Sequence, residues 1–152
     1  MLRKAERKDC GTIYELICRM EGEQLAYDRF AAAYQRQLAD SRYHCLVYEQ
    51  DGAVAGVLNL RFEEQLHHAA RVAEIMEFAI DGAHRRQGIG SEMLAEACRI
   101  AAARGCIQIE AACNQLRTEA HRFYLREGMH NFHFKFSKSL TGEDPVQNRI
   151  GR

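Results

Sequence analysis

The chain is nearly devoid of proline, with Pro145 alone among 152 residues, and it has no tryptophan. So little proline excludes a Pro-rich linker or a proline-based disordered segment. The net charge is zero, from 21 basic and 21 acidic residues. With no overall field, bulk attraction to nucleic acid or to an anionic membrane is not expected. No apolar run approaches the roughly 18 residues of a membrane span. The first residues, Met1–Arg7, lack the apolar stretch of a signal peptide, so a soluble cytoplasmic protein is expected. No C-x-x-C pair occurs among the six cysteines (Cys10, Cys18, Cys45, Cys98, Cys106 and Cys113), and no zinc spacing accompanies them. They read as small buried hydrophobes. Lysine is scarce too: Lys4, Lys8, Lys135 and Lys138 stand against 17 arginines. Guanidinium forks match phosphate and carboxylate geometry, but base composition explains most of such a bias.

What is present is enough for one globular core, since 47% of residues are hydrophobic. Met1–Arg7 is expected to hold a first strand. Asp9 is placed to cap a helix whose apolar face is Ile13, Leu16, Ile17 and Met20, and Gly22 ends it. A second helix is expected over Asp28–Leu38. Strands follow at Tyr43–Glu49 and Val54–Phe62, joined by the hairpin signal Asp51-Gly52. Polar Glu63–His68 reads as a turn, and Val72–Ile80 as the next strand. A loop at Asp81–Gln87 leads into a helix over Gly88–Arg104, stopped by Gly105. Ile107–Cys113 reads as a strand, and a short helix from Thr118 or Glu119 ends at Gly128. Phe132–Phe136 alternates Phe, His, Phe, Lys, Phe, a period suited to a half-buried strand. Three strands in a row before the first strand-loop-helix unit make this an α+β fold. One domain is expected over 1–140, with a loose tail over 141–152.

The strongest local signal is Arg85-Arg86-Gln87-Gly88-Ile89-Gly90-Ser91, after a strand and at the start of a helix. Small residues admit a ligand close to the backbone, and a helix N-terminus offers N–H groups to an anion. No Gly-Lys-Ser/Thr follows, so it is not a P-loop, and G-x-G-x-x-G is absent. On its own a Gly-x-Gly is equally a structural turn.

In context, Arg85-x-x-Gly88-x-Gly90 resembles the acyl-CoA-binding motif of the GNAT acetyltransferase superfamily. Ala120–Gly128, with Phe123-Tyr124, resembles that family's short helix of the form A-x-x-F-Y-x-x-x-G. Further pieces are similar to one branch, the aminoalkylphosphonate N-acetyltransferases: Ser41–His44, Leu66-His67-His68, Glu74-Ile75-x-Glu77 and His133–Lys138. This resemblance implies a GNAT fold, with a mixed, mostly antiparallel sheet of 6–7 strands and about four helices. It also implies acetyl transfer from acetyl-CoA to a primary amine. The amine must be neutral to attack, so a base is required. The resemblance gives that role to Glu77. Glu74, three residues earlier, would face the opposite way in a regular strand unless a bulge intervenes. Tyr124 is the implied general acid for the departing thiolate; the alternative reading of a helical tyrosine is plain core. The implied cofactor contacts are the backbone of Phe78, Ala79 and Ile80, the loop residues Arg85, Arg86, Gln87, Gly88, Ile89, Gly90 and Ser91, and Asn114 beside the pantetheine arm. Backbone N–H groups near Phe78 would hold the oxyanion.

Arg61, His67 and His68 are the candidate acceptor-binding residues. A divalent metal is implied by the resemblance, with His67, His68 and Glu77 as the ligands in reach of the argument. Adjacent histidines in a polar turn are otherwise simply solvated. A homodimer is expected from the same resemblance. Two other readings stay open: acetylation of another amine (a polyamine, an amino acid or a protein N-terminus), and a non-catalytic acyl-CoA-binding regulatory module.

Overall fold

The computed structural model describes residues 1–142. The chain divides into two units, Met1–Ala111 and Ala112 onward.

The first unit is built on a five-stranded sheet in the order β1-β2-β3-β4-β5. The strands are β1 (Leu2–Lys4), β2 (Tyr43–Gln50), β3 (Ala53–Gln65), β4 (Ala70–Ile80) and β5 (Ile109–Ala111). All neighbours are antiparallel except β4 and β5, which run parallel. The α+β class and the GNAT-like mixed sheet stand; among the described residues the sheet has five strands where 6–7 are expected.

Helices α1 (Cys10–Glu21) and α2 (Tyr27–Leu38) cover one face. There Ile13, Leu16 and Ile17 of α1 and Tyr34 of α2 bury against Cys45, Val47, Val57 and Ala79. Helix α3 (Ile89–Ala103) covers the other face with Ile89, Met93, Leu94, Ala97 and Ala101. The alternation of β3 explains the sandwich: Val57 faces α1 and α2, while Leu58 and Leu60, both fully buried, face α3. Gly56 is small for a reason, since a Cβ there would lie 2.9 Å from Met93 Sδ. Asp51 (φ 52°) and Gly52 (φ 78°) make the left-handed pair that a two-residue hairpin requires.

Three expectations need correction. Asp9 occupies the residue before α1 but makes no side-chain cap to it. Its carboxylate instead takes two Arg3 N–H bonds, at 2.8 and 2.9 Å, and the Glu6 N–H at 2.7 Å. Glu63–Gln65 is strand, not turn: β3 runs on to Gln65, and the reversal falls at 66–69. Polar residues sit comfortably there because they pair across the hairpin with Val72, Arg71 and Ala70.

The second unit carries α4 (Thr118–Arg126), closed by Gly128 at φ 86° with Met129 N–H bonded to the Tyr124 carbonyl at 3.0 Å. Phe132–Phe136 forms no strand, which is the third correction. Period-two alternation supplies an apolar face but not a pairing partner. Residues 132–136 carry no strand, and Phe132, Phe134 and Phe136 are 79%, 82% and 92% exposed. Most of the tail expected to be loose, 143–152, lies outside the described residues.

Candidate active site

A bulge in β4 builds the site. Between Asn59 and Leu60 of β3 the register shifts, so that Asn59 opposes Glu77 and Leu60 opposes Ile75. Met76 is the extra residue. Arg61 opposes Glu74, and Asn59 and Arg61 share a face because they are two apart. Glu74 and Glu77 therefore lie on the same face, the α1/α2 face, against the expectation for a regular strand.

Glu77 opens into a cleft of about 100 Å³ lined by Ile13, Ile17, Phe30, Tyr34, Gln37 and Asn59. Six of its ten wall residues come from α1 and α2, which is why the walls are mostly apolar. Burial pushes the Glu77 carboxyl above the ordinary carboxylate range. An N–H bond from Asn59 pulls it down, and Glu21 pushes it further up. Asn59 Nδ2 lies 2.9 Å from Glu77 Oε2 and 2.8 Å from Gln37 Oε1. Neither Asn59 nor Gln37 is among the residues expected from the sequence. The signal for Asn59 was readable: one amide inside the apolar run Val57-Leu58-Asn59-Leu60 must have a polar partner. Gln37 gave no such signal, being one of several polar residues on an amphipathic helix.

Arg61 donates to Glu74 Oε2 at 2.8 Å and lies 3.5 Å from Glu63. Its Nε is buried with no hydrogen-bond partner among the described residues. His67 and His68 sit in the reversal beyond Gln65, rings 4.3 Å apart, with His68 Nδ1 2.6 Å from Gln65 Oε1. Gln65 lies six residue steps along β3 from Asn59, which is about 20 Å at the usual rise. The structure therefore does not bring either histidine to Glu77 within one chain. Among the described residues no three His, Cys, Asp or Glu side chains are grouped as a metal would need. The donor set proposed for a divalent metal, His67, His68 and Glu77, does not fit.

The loop after β4 begins with a 3₁₀ turn, Gly82–His84, tied by His84 Nδ1 to Asp81 at 3.0 Å and by Arg19 to Asp81 at 3.2 Å. Arg86 (φ 63°) and Gly88 (φ 80°) both take left-handed backbone, and Gly88 is the residue from which α3 starts. For arginine that conformation is strained. It turns the chain so that the first turn of α3 follows directly, and the N–H groups of that turn have no acceptor inside the helix. Arg85, Arg86 and Gln87 are exposed, and no carboxylate pairs with either guanidinium among the described residues. The β4–β5 ladder covers only Ala73–Ile75. Phe78, Ala79 and Ile80 pair on the β3 side with Leu58, Val57 and Gly56.

In the second unit, burial pushes the Tyr124 hydroxyl up to about 12, with Cys113 adding to the rise and Arg117 opposing it. The ring meets Phe123 edge-on at 5.4 Å. At neutral pH Tyr124 therefore holds its proton firmly. Asn114 uses its side-chain oxygen locally, accepting the Leu116 N–H at 2.8 Å in an Asx turn.

A mixed sheet with a bulged fourth strand, followed by a glycine-rich turn into a helix, is the arrangement these residues build. A profile of the Acetyltransferase (GNAT) family matches residues 8–129, and the chain belongs to that family. It is an acetyl-CoA-dependent N-acetyltransferase. The chain is 37% identical to the aminoalkylphosphonate N-acetyltransferase of Salmonella typhimurium over 139 residues, covering 91% of this chain and 90% of that enzyme. It is 26% identical to the thialysine N-epsilon-acetyltransferase of Bos taurus, covering 89% and 92%. In fold it matches a protein of Bacillus halodurans described as a transcriptional regulator, with TM-score 0.85, 22% identity, and coverage of 92% and 99%. No helix among the described residues is long and apolar enough to cross a membrane.

Proposed function

We propose that the protein transfers the acetyl group of acetyl-CoA to the primary amine of an aminoalkylphosphonate, in a ternary complex, with Glu77 as general base and Tyr124 as general acid. The observation that carries the acceptor is the 37% identity over nine-tenths of both chains. In support of the base, Glu77 is the carboxylate at the cleft, its affinity for a proton raised toward the working range by burial. Glu77 takes a proton from the acceptor ammonium, directly or through water. The neutral amine then attacks the thioester carbon, and the C–N bond forms. Backbone N–H groups in the Phe78–Ile80 stretch are assigned to the oxyanion. Collapse breaks the C–S bond, and the thiolate takes the Tyr124 proton. The amide nitrogen gives its second proton to solvent, solvent returns one to Tyr124, and Glu77 gives its own up to solvent. The pyrophosphate is assigned to the N–H groups of Gln87, Gly88, Ile89, Gly90 and Ser91, with Arg85 and Arg86 as the cations beside it and Asn114 at the pantetheine.

Arg61 is the proposed partner of the phosphonate, through its buried Nε. His67 and His68 retain that role only by way of a second copy of the chain. The family profile runs across both units, and we assign them to one catalytic domain over 1–140. The expected homodimer has a candidate contact in Phe132, Phe134 and Phe136. Covering three phenyl groups on each copy would remove on the order of 1,000 Å², near the lower limit for a specific interface. A soluble cytoplasmic enzyme accords with this chemistry.

A second reading is favoured by one observation. Three carboxylates, Glu63, Glu74 and Glu77, share a face with the cation Arg61, an acidic excess there that suits a cationic acceptor such as a polyamine. An amine panel separates the readings. Thiol release is followed with acetyl-CoA and 2-aminoethylphosphonate, spermidine, free amino acids or a peptide amine. Preference for the phosphonate is the expected result; preference for spermidine would move the assignment to the second reading. No turnover with any amine, despite acetyl-CoA binding, would favour the regulatory module.

A further inference from the structure

We propose that Asn59 and Gln37 are positioning residues, which hold Glu77 by its Oε2 so that Oε1 is the oxygen presented to the acceptor amine. This rests on Glu77 being the base, as read above. Asn59 is only 7% exposed, and its Nδ2 has two hydrogens. One meets Gln37 Oε1 at 2.8 Å and the other Glu77 Oε2 at 2.9 Å. The orientation of the amide follows from its partners. Turned over, Asn59 Oδ1 would face two acceptors, one of them a carboxylate. As it stands, Oδ1 is buried with no hydrogen-bond partner among the described residues. Folded proteins seldom leave a buried acceptor in that condition, and such an exception calls for an explanation. The explanation here is that the NH₂ end is what the position requires.

The three residues come from three elements, Gln37 from α2, Asn59 from β3 and Glu77 from β4 beside the bulge. The bulge sets the height of Glu77 over the sheet, and the amide sets the rotation of its carboxylate. The groups around that carboxylate are Glu21 of α1, which disfavours its charge, Tyr34 of α2 and Cys45 of β2 in the cleft wall, and the Arg61–Glu74 pair further along the face. Asn59 is the group among these that donates a hydrogen bond to the charged form, so its loss leaves burial and Glu21 unopposed.

The test is the pH profile of kcat/KM for wild type, Asn59→Ala, Gln37→Leu and Glu77→Gln. The acceptor is 2-aminoethylphosphonate, or the best amine of the panel. With Asn59→Ala the acid limb should move up by about one pH unit, and kcat should fall more than KM rises. Gln37→Leu should move it the same way by less, because the amide is then free to turn. Acetyl-CoA affinity should be unchanged in both. A uniform loss of rate with the acid limb unmoved would overturn the proposal, since a merely structural role gives that result. Gln37 is half-buried on a helix surface, so its variant carries the test if Asn59→Ala does not fold. Should Glu77→Gln keep wild-type activity, the base assignment itself fails. Should it lose activity while the Asn59 and Gln37 limbs stay put, only the positioning role fails.

Discussion

At the scale of residues, Glu77 carries opposing demands. Burial raises its proton affinity, which suits a base near neutral pH but burdens the fold once the charge forms. The sign follows from a folded pKa above the unfolded one. The protonated state is favoured by folding, and stability declines as pH rises through the folded value. Glu77→Gln should therefore melt at a higher temperature than wild type at pH 8, the difference shrinking as pH falls, while activity is lost. A scanning calorimetry series across pH checks this. Tyr124→Phe should lower turnover about a hundredfold with acetyl-CoA binding intact, as measured by steady-state rates and by titration calorimetry. Glu77 and Tyr124 stood out in the sequence because the motifs around them did. Asn59 did not, although an amide in an apolar run is a readable anomaly. Its partner across the sheet depends on a bulge that no local pattern announces.

At the scale of elements, the bulge in β4 and the length of the β3–β4 hairpin decide what the site contains. The bulge turns Glu74 and Glu77 to one face. The extension of β3 to Gln65 carries His67 and His68 away from them. Reading Glu63–His68 as a turn puts those histidines too near, because polarity marks a loop only where cross-strand pairing does not claim the residues. The helix boundaries, by contrast, were legible within a residue or so, since Gly22, Gly105 and Gly128 each mark an end. At the sheet's edge, Arg3 is held by Asp9 and Glu49, and Asp9 is 5% exposed. The Arg3 guanidinium beside Asp9 holds that carboxyl below its usual range. Its stabilisation is present above the ordinary carboxylate range and is lost as pH falls through the lowered value. Arg3→Ala should cost about 3 kcal/mol in urea unfolding at pH 7, and the cost should shrink in acid.

At the scale of the whole molecule, the zero net charge argues against bulk attraction to nucleic acid. The arginine excess has a proposed ligand-binding meaning at Arg61, Arg85 and Arg86 and a structural one at Arg3. The exposed phenylalanines of 132–136 were legible as a strand pattern but not as a strand, because alternation specifies a face and not the neighbour that covers it. If a second copy covers them, replacing Phe132, Phe134 and Phe136 by Ser should convert a dimer to a monomer in light-scattering chromatography. An unchanged mass would place the contact elsewhere. The central claim is that Glu77 draws the proton that lets an aminoalkylphosphonate accept acetyl from acetyl-CoA. Its most direct test compares thiol release by wild type and Glu77→Gln on 2-aminoethylphosphonate, with acetyl-CoA affinity measured alongside. The account predicts turnover by wild type and a loss of about 10² to 10⁴-fold in the variant at unchanged acetyl-CoA affinity. Equal rates in the two proteins would contradict it.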